Sequence, residues 1–455
     1  MAAASVDPAR RKQVLKVIVF SLLLDLISFT FILPLFPSLL EFYRNAEISL
    51  DADGSRPATL LSSVLNYLNA YKASFARPID SRYDIVLLGG ALGSLFSLLQ
   101  AIASPVIGHM SDRYGRRTAL LASMTGNILS VLLWVVAVDF RTFVLSRIVG
   151  GLSEGNVQLA MAIATDISDD SSRGSTMALI GACFSIAFTF GPALGAWLST
   201  IAMIKTNPFA AAAGFSLFLI VAETAYLYFY LPETLPAKAA SAETATKAAG
   251  KAASGKATSS EQTHVRTNSH VMLNSVHFFF LLFFSGMEFS LPFMTYDLFG
   301  YTAAKNGRLL GFVGLVASIL QGGVTRRLPP LLSVRIGVVA CQVAFLMLGS
   351  LTTVGSLYLA AACLAATSAT VVTGLNALSS FEAHSGERGG KLGIFRSWGQ
   401  VGRGLGPILF TSVYWWAGRE VAYGAGAIGI SAVLLLSFFG LQSPPHAEKP
   451  KAKTL

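Results

Sequence analysis

The sequence predicts an all-α membrane protein with twelve transmembrane helices in two six-helix pseudo-repeats. Three observations carry this reading. Of 455 residues, 53% are hydrophobic and only 13% charged, with a mean hydropathy of +0.60, which is too apolar for a soluble globule of this length. Twelve apolar stretches have the roughly 20 residues that an α-helix needs to cross a bilayer. Parts of the first half also recur in the second.

The spans cover 14–38, 84–107, 118–138, 142–165, 174–199, 208–231, 271–296, 307–325, 333–352, 355–379, 390–416 and 420–441. The first is expected to stay in the protein: it is long for a signal segment, carries Asp25 in its middle and has no small-residue cleavage site after it. The net charge of +10 follows topology. With both termini in the cytosol, 21 of the 34 Lys and Arg fall on the cytosolic side. Basic residues in short loops beside apolar spans make nucleic acid an unnecessary explanation of the charge. Trp134, Trp197, Trp415 and Trp416 lie at the far ends of spans, as an interfacial aromatic belt would. Cys183, Cys341 and Cys363 fall inside spans and read as small core residues.

After span 1, residues 41–82 form a long polar connection on the non-cytosolic side, with a helix expected within Leu60–Tyr71. Residues 232–270 read as a flexible cytosolic linker rich in Ala, Lys, Ser, Thr and Gly. The linker separates a bundle over 1–231 from one over 271–441, followed by a tail over 442–455. Its Gly250–Ala257 string resembles a phosphate-binding loop but has Ala257 where Ser or Thr would hold magnesium, and no strand precedes it. His264, His270 and His277 lack metal-site spacing. The repeat is visible in spans 2 and 8, where Leu88, Gly90, Gly93, Ser97, Leu99 and Gln100 recur 221 residues later as Leu309, Gly311, Gly314, Ser318, Leu320 and Gln321. Spans 5 and 11 repeat at 215 residues, with Arg173, Gly174, Gly191 and Pro192 recurring as Arg388, Gly389, Gly406 and Pro407.

Between spans 2 and 3 lies a dense polar island, Gly108 to Arg117, in which Gly108, Asp112, Arg113, Gly115, Arg116 and Arg117 meet the pattern Gly-x-x-x-Asp-Arg-x-Gly-Arg-Arg. A basic anchor alone does not need this spacing. The pattern resembles the signature loop of the major facilitator superfamily of secondary transporters, whose two halves are parallel six-helix repeats. That resemblance implies a gating hinge, with Asp112 at the start of span 11 near Gly389 and Gly390, and with Arg116 and Arg117 facing Asp166, Asp169 or Asp170. The second half retains only Gly323, Arg326 and Arg327 of the pattern, so the hinge is asymmetric. Arg147 with Gly151 in span 4, and Gly191, Pro192 and Gly195 in span 5, are similar to the superfamily's helix-4 motif and to its antiporter-associated helix-5 kink. A proline kink tolerated by the membrane is the plainer reading of the latter.

Ionisable side chains inside spans each cost about 2.5–3.5 kcal/mol on insertion scales and therefore face a cavity or a partner. Seven qualify: Asp25, Arg147, Glu154, Glu223, Glu288, Arg396 and Arg403. Glu223 and Arg147 are near enough to span ends to snorkel, whereas Asp25 lies near the midplane. A secluded carboxyl is suited to carrying a proton, so Asp25, with Glu288 as its counterpart in the second half, is expected to couple protons. Arg396, Gln400 and Arg403 at i, i+4 and i+7 share a helix face and suit an anion, with internal neutralisation by Glu154 or Asp25 as the alternative. Glu154 is grouped with them as substrate-binding.

The strings around Asp25 in span 1, LPETLP after span 6 and LFFSGMEFSLPFMT in span 7 resemble the tetracycline-transporter-like, organic-anion-exporting branch of the superfamily. Asp25 also matches the span-1 aspartate of bacterial tetracycline/proton antiporters. The resemblance implies no enzyme and no cofactor beyond a proton gradient. It implies a monomer in the bilayer that exports an organic anion or amphiphilic drug by alternating access. A facilitative uniporter of a small metabolite, or a non-transporting receptor of the same fold, are the alternatives. Lys451 and Lys453 near the C-terminus resemble an endoplasmic-reticulum retrieval signal, favouring an endomembrane over the plasma membrane.

Overall fold

The computed structural model describes residues 8–30, 32–51, 59–75, 79, 83–199, 209–235, 267–384 and 386–444. Most of the expected linker, including the Gly250–Ala257 string and His264, lies outside them, as do Lys451 and Lys453.

The described chain is helical, with no strand among the described residues. The helices of the first half are α1 (Pro8–Thr30), α2 (Ile32–Asp51), α3 (Leu60–Ala73), α4 (Asp84–Tyr114), α5 (Arg116–Val135), α6 (Phe140–Ser153), α7 (Asn156–Asp166), α8 (Asp170–Ser199) and α9 (Ala210–Tyr230). The second half supplies α10 (His270–Phe299), α11 (Ala303–Gly323), α12 (Pro330–Gly349), α13 (Val354–Glu382), α14 (Arg388–Ala417) and α15 (Arg419–Leu435). By length and composition, 10 of these are candidate membrane spans. Expected span 11 is the 30-residue α14, rich in glycine and carrying Arg396, Gln400 and Arg403 within it. Expected span 4 is divided into α6 and α7, of 14 and 11 residues. The division falls at Glu154 and Gly155, within Ser-Glu-Gly-Asn, where three of the four residues are poor helix formers.

Two apolar cores hold the helices. One is built almost wholly from 14–231, around residues such as Ile18, Met124, Phe143, Ile163 and Ile180. The other comes from 273–441, around Phe280, Val338, Phe345, Leu375 and Ile430. Between them, α4 lies along α14 and α8 along α11. Glycines make the first contact close: a Cβ at Gly393 would fall on the Ser104 carbonyl, and one at Gly404 would meet the Leu98 side chain at 3.0 Å. The second contact is tied by polar side chains, with Ser185 donating to Gln321 and Gln321 Nε2 donating to Thr373 Oγ1 at 3.0 Å.

In the connection after α2, α3 lies at the end of the bundle opposite the Gly108–Arg117 hairpin. Thr59 caps α3 by accepting from Ser62 N at 3.1 Å. α3 packs on the first half through Leu61, Leu65 and Leu68, and its C-terminal end reaches the second: Tyr71 Oη and Ser412 Oγ are 2.6 Å apart, and Tyr71 and Phe75 meet Trp415 edge-on. Tyr83 adds a hydrogen bond to Asp297 at 2.5 Å. Because the Tyr71 ring spans the gap, a bis-methanethiosulfonate linker joining the double variant Tyr71→Cys/Ser412→Cys is expected to tie the halves together on this face and bring turnover near zero. Dithiothreitol should restore it, and unchanged turnover in the cross-linked form would show that α3 does not have to part from α14.

Candidate functional site

The hairpin at the end of α4 is a joint between the halves. A Cβ at Gly108 would fall on the Gly389 carbonyl, so only glycine lets α4 approach α14 here. One turn later, Asp112 accepts from Gly389 N at 2.9 Å and Gly390 N at 2.6 Å, placing a carboxylate on the first turn of α14. The helix dipole favours an anion there by about 0.3–1 kcal/mol. Arg116 Nη1 reaches Asp112 at 2.6 Å, and Arg116 Nε reaches Asp166 at 2.8 Å. From the other half, Arg388 Nη1 meets the second oxygen of Asp166 at 2.9 Å. Arg116 and Asp166 are both fully buried, so this is a desolvated chain of charges. It joins α4, α5, α7 and α14.

The remaining hairpin residues have local duties. Gly115 adopts φ +100°, a left-handed conformation that links α4 to α5. The Glu233 carboxylate accepts from the backbone N–H groups of Arg116 (2.9 Å) and Arg117 (3.2 Å), capping α5. Arg117 itself goes to the Tyr228 carbonyl at 2.6 Å and not to an acid. Of the three acids expected to face the two arginines, Asp169 instead pairs with Arg11 and Asp170 with Arg173, both at 2.8 Å. Arg113 is exposed and lies over the Tyr114 ring. Sequence reasoning missed Arg388 and Glu233 as partners. Both stood in strings already singled out, but no spacing rule connects residues more than 100 positions apart.

A second constellation lies at mid-depth. The joint between α6 and α7 holds Glu154, whose carboxylate accepts from Asn127 Nδ2 at 3.3 Å. On α1, Asp25 is buried and accepts from Asn156 Nδ2 at 3.1 Å. Both acids line a cavity of about 450 Å³ of empty space, partly open to solvent, together with Phe29, Phe96, Trp134 and Arg147. The Arg147 guanidinium lies over the Phe143 and Phe96 rings, 5.5 and 5.9 Å from their centroids. Gly151 is a contact glycine, since a Cβ there would press on Leu99.

Across from these acids, α14 packs Gly393, Ser397 and Gly404 against α4 and Gly399, Gly402 and Gly406 against α10. Arg396, Gln400 and Arg403 point between those two contacts. Arg396 acts electrostatically on both Glu154 and Asp25. Among the described residues, however, no carboxylate lies at salt-bridge distance from it, and Arg396 Nε and Gln400 Oε1 are buried without a hydrogen-bond partner. Internal neutralisation by direct contact is thus not what the geometry shows.

Several expectations need correction. Glu288 is exposed, not buried, and no hydrogen bond or ion pair engages it among the described residues. The rotation of α10 turns Phe280, Phe284, Met287, Leu291 and Met294 into the core and leaves Glu288 off that face. Arg403 is exposed as well. Glu223 does not snorkel: it is 1% exposed and accepts from Ser21 Oγ at 2.6 Å. Arg147 does not escape to an interface either, since it lines the cavity. Trp134 is buried in the cavity wall and is no interfacial anchor, whereas Trp197 and Trp416 are exposed. The expected kink residues Gly191 and Gly195 lie within the single helix α8. Gly191 serves close approach, because a Cβ there would fall on Thr30. The side chain of Pro192 lies outside the described residues.

A two-half helical bundle with a charged joint between α4 and α14, and with opposed acids and arginines at mid-depth, defines a membrane transporter. The chain belongs to the Major Facilitator Superfamily, whose family model matches residues 18–407. It is 34% identical over 453 residues to the mouse "Major facilitator superfamily domain-containing protein 10", covering 96% of this chain and 94% of that one. The crystal structure of the human organic anion transporter MFSD10 (TETRAN) superposes with a TM-score of 0.80 at 30% identity, covering 95% of this chain and all of that one. The class B tetracycline resistance protein of Escherichia coli is 26% identical over 341 residues, 73% of this chain and 80% of its own. This is therefore a multi-pass membrane transporter of a small molecule, and not an enzyme.

Proposed function

We propose that the protein is a proton-coupled antiporter of amphiphilic organic anions, working as a monomer by alternating access. One observation carries this: Arg396, with a buried and unpartnered Nε, stands opposite Asp25 and Glu154 without touching either. A guanidinium held this way can take a bidentate carboxylate or sulfonate. The acids can hold a proton when the anion is present and oppose the arginine when it is absent, so anion and proton exchange around one charge. The aromatic rings of Phe29, Phe96 and Trp134 suit the apolar body of such a cargo. The human relative's description as an organic anion transporter supports the class. The basic-residue bias supports a cytosolic hairpin face and cytosolic termini.

The test is transport into proteoliposomes under an imposed pH gradient. The cargo is a radiolabelled naphthalenesulfonate, whose charge does not change with pH. The gradient is expected to drive its accumulation, and Arg396→Ala to raise the half-saturating concentration about 10-fold or more, the loss of one charge-assisted pair. Flux insensitive to the gradient across a panel of aryl sulfonates and carboxylates would remove proton coupling. Flux unchanged in Arg396→Ala would remove the anion site.

A further inference from the structure

Glu223 on α9 is a buried carboxyl that the exchange just described does not use. It is 1% exposed, in the wall of the first half, where an ionisable group is costly to keep. One oxygen, Oε1, accepts from Ser21 Oγ at 2.6 Å, while Oε2 is buried with no hydrogen-bond partner. Ser21 stands one turn before Asp25 on the same face of α1. The order along α1 is therefore Glu223 with Ser21, then Asp25 with Asn156, with Glu154 beside the cavity. Because α1 runs away from the hairpin face, Glu223 and Ser21 lie one turn nearer that face than Asp25. The charged groups acting on Glu223 are both acids, Asp25 on α1 and Glu154 at the α6–α7 joint. The charged residues of α5, Arg116 and Arg117, and of α8, Asp170 and Arg173, sit at the hairpin ends of those helices. Among the described residues no cation pairs with Glu223.

We infer that Glu223 is the inner proton station of the transport cycle, exchanging a proton with Asp25 through the Ser21 hydroxyl on a path inside the first half, separate from the route of the cargo. Glu223 is buried beside two other acids, and among the described residues none of the three is at salt-bridge distance from a cation, so all three cannot carry charge cheaply and a proton resides among them and moves between sites. The hydroxyl both donates and accepts; it touches Glu223 and stands one turn from Asp25, so with a side-chain rotation or one water closing the gap to Asp25 it can pass a proton between the two acids. No atom is consumed: the proton taken up by Asp25 from the cavity is the one Glu223 releases toward the hairpin face. The latch of Asp112, Arg116, Asp166 and Arg388 closes that face to the cargo while leaving this interior path intact.

The inference rests on proton coupling, and the experiment separates the two. In proteoliposomes, Glu223→Gln is expected to exchange labelled for unlabelled naphthalenesulfonate at a rate within about twofold of wild type. Accumulation driven by the pH gradient should fall by about 10-fold or more, as when a proton-transfer group is removed. Ser21→Ala, which keeps the acid, should slow gradient-driven flux while sparing exchange, and it decides the matter if the Gln variant does not fold. Infrared difference spectra of purified protein across a pH jump read the same event without cargo. One protonated-carboxyl band present in wild type should vanish in Glu223→Gln, and the remainder, including that of Asp25, should titrate at a different pH. A wild type without gradient-driven flux overturns proton coupling, and the inference with it. A coupled wild type whose Gln and Ala variants match it in flux and in carboxyl bands overturns the inference alone.

Discussion

Asp25→Asn is expected to leave the transporter folded and able to exchange cargo for cargo, yet unable to use a pH gradient. Asparagine is nearly isosteric, and its amide oxygen can still accept from Asn156 Nδ2, now 3.1 Å from Asp25 Oδ1, so the packing of α1 against α7 survives. What disappears is the one group that is buried on α1, opens on the cavity and acts electrostatically with both Glu154 and Arg396. Gradient-driven accumulation should drop by about 100-fold, the lower end of what a positioned proton-transfer group contributes. The dependence on pH has a definite sign. In wild type, acidifying the side from which protons enter should raise counterflow of the anion, whereas in Asp25→Asn the flux should be flat across the same range. Proteoliposome flux at a series of imposed gradients is the measurement. A variant that keeps the wild-type slope would show that the proton does not pass through Asp25.

The second large effect is expected at Asp166, which touches no cargo. Its two oxygens hold Arg116 from one half and Arg388 from the other, and both Asp166 and Arg116 are fully buried. Removing one partner of a buried pair costs about 3–5 kcal/mol because the other charge stays uncompensated. Arg116 keeps Asp112 at 2.6 Å, so the lower figure applies to Asp166→Asn. Of the two contacts only Asp166–Arg388 crosses between the halves; Arg116 and Asp166 both belong to the first, so only the Arg388 part of the loss falls on the state in which the hairpin face is closed. Loss of that one charge-assisted contact, about 1.5 kcal/mol, is roughly a 10-fold shift toward the open state. A cysteine introduced at Ala101, whose carbonyl accepts from Ser397 across the α4–α14 contact, reports the opening. Labelling by a membrane-impermeant maleimide from the hairpin side should rise steeply in the Asp166→Asn background. Equal labelling in both backgrounds would mean that the charge chain does not hold the face shut.

The two sites differed in how far the sequence exposed them. The hairpin was legible because its function is written in a local string: Gly108, Asp112 and Gly115 lie within eight positions, and a glycine needed for close approach leaves a mark in one dimension. Its partners were less so. Asp166, Asp169 and Asp170 were equivalent by spacing, and only the approach of α7 beneath α5 chose Asp166, while Arg388 arrived from the other half. The mid-depth site showed the same limit. Arg396, Gln400 and Arg403 could be placed on one face by helical periodicity, but the rotation of each helix about its own axis separates a buried acid from an exposed one. That rotation is set by which neighbours its face meets. Hence Glu288 and Glu223 exchanged the environments expected for them, and Trp134 moved from an interfacial belt into the cavity wall.

By itself the sequence determined the class of molecule, since apolar length and charge sparsity must be met by membrane-crossing helices whatever their arrangement. It also determined the internal repeat and the location of the charged hairpin between α4 and α5, because glycine and charge spacing act over a few residues. Only the tertiary structure decided which charges are buried, which arginine lacks a partner and which acids lie near one another. Those properties depend on desolvation and on distances between residues far apart in the chain, and neither exists until the two halves are packed together.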